Sequence, residues 1–153
     1  HHIIEKGLQS LKADIENAVN NHAGFVEACR AVCSAMSRYR TECPHSLESL
    51  NRSGAAKIEP LAISDTVKSI LRLGTEINDI LEALIVRGQK SGEVRKDIVP
   101  VLTVYVLSTN LDSLLALAET KGKFICAQNG MTEDEFLDYG FRQIINSILE
   151  VRI

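Results

Sequence analysis

The stretch from Ile98 to Leu117 constrains this chain most. Val99, Val101, Leu102, Val104, Tyr105, Val106, Leu107, Leu111, Leu114, Leu115 and Leu117 leave a helix there with almost no polar face. A helix apolar all round has to be covered on both sides, either by its own chain or by a partner. Asp97 reads as its N-cap, with Pro100 tolerated in the first turn. Lys121-Gly122-Lys123 reads as its close, placing basic residues at the negative end of the helix dipole beside a C-cap glycine. Charged residues interrupt the apolar runs before any approaches the ~18 residues of a bilayer span, so a soluble chain with no membrane partner is expected. His1-His2-Ile3-Ile4-Glu5-Lys6 lacks the apolar core and small-residue cleavage site of a signal peptide, and a cytoplasmic location is the expectation.

The remaining segments repeat the helical period. Ile4, Leu8, Leu11, Ile15, Ala18 and Val19 form the apolar side of a first helix, which begins without a capping residue, as if cut from something upstream. Asn20-Asn21 punctuates. A second helix carries Phe25, Ala28, Cys29, Val32, Cys33 and Met36 until Pro44 stops it, and His45 to Pro60 is short and broken. Ser64 caps a long helix with the stripe Val67, Ile70, Leu71, Gly74, Ile77, Leu81, Leu84 and Ile85, ending at Gly88. The last helix opens on the capping box Thr132-x-x-Glu135, with Met131 and Phe136 as a hydrophobic staple. It carries two adjacent stripes, Leu137-Phe141-Ile145-Leu149 and Phe136-Gly140-Ile144-Ile148, wider than one neighbour requires. Gly140 in that helix points to a close helix approach.

With 45% hydrophobic residues in 153, the chain can bury a sizeable core as one domain. Three prolines, nine glycines, no Trp and no sustained alternation argue against a β-sandwich. The expected fold class is all-α, with five main helices and a short broken one. A net charge of −3 argues against nucleic acid or an anionic membrane as this segment's own partner.

Chemistry-bearing patterns are sparse. Glu42-Cys43-Pro44-His45 has the form of one half of a di-iron Glu-x-x-His pair, but Pro44 breaks the helix that would align the two side chains, and no second half exists. Cys29 and Cys33, one turn apart, lack the Cys-x-x-Cys spacing of zinc sites, and all four cysteines read as reduced core thiols. No phosphate loop, nucleophile elbow or His-Glu-x-x-His occurs, so no enzyme activity, metal or cofactor is called for.

The block Ile85-Val86-Arg87-Gly88-Gln89-Lys90-Ser91-Gly92-Glu93-Val94-Arg95-Lys96-Asp97 resembles the connection between the seventh and eighth helices in the C-terminal domain of TetR-family transcriptional regulators. Glu42-Cys43-Pro44 followed by Leu47 and Leu50 is similar to the family's turn into its short sixth helix. Asp138-Tyr139-Gly140-Phe141-Arg142-Gln143-Ile144-Ile145 is similar to the start of its ninth. The resemblance implies an effector-sensing and dimerising domain of a ligand-responsive regulator, a repressor in type, whose N-terminal helix-turn-helix unit is missing from this chain. It implies a homodimer built as a four-helix bundle from the last two helices of each copy, with operator DNA contacted only through the missing unit. Facing and apolar character place a small, largely apolar effector among Phe25, Cys29, Cys33, Met36, Leu73, Ile77, Leu81, Tyr105 and Thr109. The dimer interface is expected at Leu107, Leu111, Leu114, Phe136, Gly140, Phe141, Ile144 and Ile148. Two other readings stand beside this one: a stand-alone helical protein-interaction module, and a thiol redox sensor of the same regulator class using Cys29, Cys33 or Cys43.

Overall fold

The computed structural model describes residues 2–43 and 64–153. Among these the chain forms five helices: α1 (His2–Asn20), α2 (Phe25–Glu42), α3 (Asp65–Ser91), α4 (Pro100–Asn129) and α5 (Glu133–Asn146). No strand forms among the described residues beyond one isolated antiparallel bridge between Val94 and Leu149. The fold is an all-α bundle, as the apolar periodicity predicts. The expected short broken helix, with Pro44, His45, Leu47 and Leu50, lies outside the described residues.

Two helix starts follow directly from their capping residues. The Ser64 hydroxyl accepts from the Val67 N–H at 3.3 Å, and Thr132 Oγ1 accepts from the Glu135 N–H at 3.1 Å, each satisfying a donor that a helix start leaves free. Three helix ends run differently from their sequence signals. α3 passes through Gly88 to Ser91 and closes on Gly92 at φ 83°. α4 passes through Lys121-Gly122-Lys123 and closes on Gly130 at φ 61°. A helix-interior glycine costs only about 1 kcal/mol relative to Ala, and both are buried, Gly88 where a Cβ would strike Val94 and Gly122 where it would meet only Ala118 at 3.9 Å. The residues that stop these helices are the ones in the left-handed region, which glycine adopts without strain. α5 ends at Asn146, so Ile148 and Leu149 are buried in a terminal turn rather than on the helix. Val99, not Asp97, stands at the N-cap of α4, and Asp97 pairs with Arg95 at 3.0 Å.

α1, α2 and α3 pack together through Leu8, Leu11, Ile15, Ala28, Val32, Ala35, Ile70 and Leu73, all in one core cluster. Lys12 Nζ to Glu76 Oε2 at 2.9 Å and Ser69 Oγ to Glu5 Oε1 at 2.9 Å join α1 to α3 at the surface. α4 and α5 pack on each other, α4 also packs on α3 and α2, and α5 packs on α2. Gly140 lets α5 approach α4 so closely that a Cβ there would strike Leu114 of the same chain. Only a narrow seam of α4 is buried: Val104, Leu111, Leu115, Gly122 and Cys126. On its outer side Leu102 and Tyr105 are each 60% exposed and Phe124 is 64% exposed. The expected two-sided cover is therefore provided on one side. α4 is also long and apolar enough, by length and composition alone, to cross a membrane. That corrects only the reading that charged residues keep every stretch too short, because Asp112 is the sole charge between Ile98 and Ala118.

Candidate functional site: an apolar cavity and the clasp behind it

A cavity of about 70 Å³ lies where α2, α3, α4 and the end of α5 meet. α2 contributes Phe25, Cys29, Val32, Cys33 and Met36; α3 contributes Leu81, Leu84 and Ile85; α4 contributes Val104, Leu107, Ser108 and Leu111; Ile144, Ile145 and Ile148 close it from the last helix and turn. Ser108 supplies the one hydroxyl, and the sulfur atoms of Cys29, Cys33 and Met36 supply polarizable surface. A lining of this kind selects for apolar shape.

Five of the nine residues proposed from the sequence come together on this cavity: Phe25, Cys29, Cys33, Met36 and Leu81. Leu73 and Ile77 do not reach it and sit in the main core with α1 and α2. Tyr105 and Thr109 do not line it either and are exposed on the outer side of α4. The inward register of α4 is Val104, Leu107, Ser108 and Leu111, about one residue, or 100°, away. Of the expected interface residues, Leu107, Leu111, Ile144 and Ile148 line the cavity. Leu111 and Ile148 are buried within a single chain, whereas Leu114, Phe136, Gly140 and Phe141 are half-buried between α4 and α5 or beside them. Ser108 carries no distinguishing signal in the sequence, because Thr109 and Asn110 follow it directly.

Burial pushes the Cys33 thiol up to about 12, against a downward pull from Arg30. Burial, and then the neighbouring Cys33, raises Cys29 as well. Thiols held this way are protonated at neutral pH and behave as small apolar groups rather than as nucleophiles. All four cysteines are free, and no cluster of metal-ligating side chains occurs among the described residues. Pro44 and His45 lie outside them.

Behind the cavity, the segment from Arg87 to Asp97 ties three distant parts of the chain together. Arg87 Nη1 and Nη2 donate to Val19 O at 3.0 Å and His22 O at 2.9 Å, covering carbonyls left free at the end of α1. Glu93 Oε2 accepts from the Phe25 N–H at 3.1 Å, so a carboxylate from the connector caps α2, whose own N-cap Gly24 has no side chain to do so. Gly88 is required by closeness, since a Cβ there would strike Val94 and stand 2.8 Å from the Phe25 ring. Val94, fully buried, bridges to Leu149, while Arg95 N–H donates to Ile148 O and Glu150 N–H to Glu93 O, both at 2.9 Å. Gln89 Nε2 holds the connector's shape by donating to Arg95 O and Ile98 O. The residues that carry the family resemblance thus have structural work here, and Phe25 and Ile148 belong to both clasp and cavity.

No protein-family model matches the chain, and no curated protein matches it. Among solved structures, a protein from Rhodococcus sp. RHA1, described as of unknown function, is similar to it with a TM-score of 0.73. The match covers 97% of this chain and 72% of that one at 15% sequence identity. A likeness at that identity is one of fold, and it places this chain among all-α bundles with the same helix arrangement.

Proposed function

We propose that this chain is the effector-sensing and homodimerising core of a ligand-responsive, TetR-like transcriptional regulator of the repressor type. The observation that carries the reading is the double use of α4: one side lines an apolar cavity, and the other is an uncovered apolar face suited to a second copy. The chain acts by binding rather than by catalysis, in the cytoplasm, and operator contact belongs to a helix-turn-helix unit outside the 153 residues.

The mechanism is linkage. The cavity of about 70 Å³ is smaller than the ~150 Å³ cavity that admits benzene, so an effector of ordinary size fits only a conformation in which the helices have parted. A ligand that binds the parted form better draws the population toward it, and operator affinity changes by the ratio of its affinities for the two forms. Chromatin immunoprecipitation of the native protein tests the regulator reading. Enrichment of a small set of promoter sites is expected, and a profile no different from an untagged control overturns it.

A second reading is favoured by the exposed Leu102, Val106 and Phe124 alone: a helical interaction module whose α4 face binds another protein. Sedimentation equilibrium separates the two, since the regulator reading requires a dimer of this chain by itself and the module reading a monomer.

A further inference from the structure

An apolar cavity gives affinity with little selection, and selection comes from whatever polar groups stand at its mouth. The wall between α2 and α5 is thin. There Cys33, Leu111 and Leu115 form a small buried cluster separate from the main core, with Leu137, Phe141 and Ile144 packed on it. Cys33 and Ile144 face the cavity, while Leu137 and Phe141 line a surface groove on the other side of that same cluster. The side chains that line the groove therefore pack directly on side chains that line the cavity, and a satellite cluster of this size is held by few buried contacts.

The groove's α2 rim carries Arg30, Ser34 and Arg38, four residues apart on one side of the helix, facing Asp134 and Asp138 on α5. The polar link across the seam is Arg30 Nη1 to Asp138 Oδ1 at 3.2 Å, between side chains 45% and 53% exposed. An exposed pair of this kind holds weakly. It uses one of the five guanidinium donors and leaves the fork open to a second carboxylate. Asp134 lies in the first turn of α5, where the helix N-terminus already offsets its charge.

We infer that the α2–α5 seam is the mouth of the cavity and that its ligand is an amphipathic carboxylate. The acyl chain passes Cys33 and Phe141 into the cavity, and the carboxylate takes Arg30 from Asp138, with Arg38 as the second cation. This rests on the cavity being the effector site and adds the chemical class of the effector. Exchange at Arg30 removes a weak tie between α2 and α5 at the moment of binding, and the apolar packing of Leu137 and Phe141 has to part with it for the chain to enter.

The test is calorimetric binding of decanoate, decanol and decylammonium to the full chain, with the variants Arg30→Gln, Arg38→Gln and Asp138→Asn. Decanoate is expected to bind at least about tenfold more tightly than decanol, the worth of one charge-assisted hydrogen bond. Either arginine variant should remove that preference and leave decanol binding unchanged, while Asp138→Asn should tighten decanoate by freeing Arg30. Circular dichroism confirms that each variant is folded. Equal binding of decanoate and decanol, a preference for decylammonium, or no loss in Arg30→Gln overturns the inference and leaves the cavity an effector site for neutral or cationic ligands. Binding of none of the three overturns the cavity reading along with it.

Discussion

Arg87 reaches two carbonyls that no backbone N–H of α1 can reach, and its buried Nε makes no hydrogen bond among the described residues. A lysine at this position keeps the charge but offers a point where the site needs a fork. Arg87→Lys is therefore expected to cost about 1 to 3 kcal/mol, the worth of a charge-assisted hydrogen bond, read as a lower urea midpoint at unchanged slope. Gly88 is sterically fixed by Phe25 and Val94. Gly88→Ala should cost about 1 to 3 kcal/mol through overpacking, whereas Gly74→Ala, where a Cβ meets nothing within 4 Å, should be neutral or stabilising through helix propensity. Cys33 gives a pH prediction. Its folded value lies near 12, above the ordinary 9.0, so above pH 9 the unfolded chain releases a proton that the folded chain retains. Its contribution is complete below pH 9 and is lost as pH rises toward 12. Thermal melts between pH 8 and 11 should show a shallower decline in Cys33→Ala than in the parent chain.

At the level of elements, the sequence is legible where its period is unequal around the helix. α1 buries Leu8, Leu11, Ile15 and Ala18 as its spacing predicts, and the Ser64 and Thr132 caps form their hydrogen bonds. α4 resists the same reading because a helix apolar on all sides carries no marker of which side turns inward. Tyr105 and Thr109 then look as suited to the cavity as Val104 and Ser108, and only tertiary packing separates them. Part of the second stripe of α5 finds cover within the chain, by Leu114 against Gly140 and by Ile144 and Ile148 against the cavity. The glycines mislead where they are read as stops, since Gly88 acts through its smallness, Gly122 lies within the helix with room for a Cβ, and Gly92 and Gly130 act through their φ. The connector's tertiary bonds were not visible at all, because Glu93 capping Phe25 joins residues 68 apart in sequence.

For the whole molecule, the apolar surface left outside predicts association. Leu102, Tyr105, Val106, Leu117 and Phe124 lie along one helix, each exposed. Burying a large side chain of this kind contributes about 1.5 to 3 kcal/mol relative to leaving it in water. Leu102→Glu combined with Val106→Glu should convert a dimer to a monomer in sedimentation equilibrium while the thermal midpoint of the isolated fold changes little. A parent chain that is monomeric at all accessible concentrations would sink the homodimer. The same double variant should leave decanoate binding at the opposite side of α4 intact.

The clasp around Glu93 also bears on the order in which the chain takes shape. α1, α2 and α3 can assemble from what precedes residue 92, but the backbone of Glu93 and Arg95 gains its partners only with Ile148, Leu149 and Glu150. During synthesis the far wall of the cavity is thus the last part made, some fifty residues after the loop it closes on. Until then α4 has α2 and α3 to pack on but lacks the cover of α5 and the terminal turn, and the interval before Glu150 appears is the one in which this chain is most exposed to chaperones and to premature pairing with another copy.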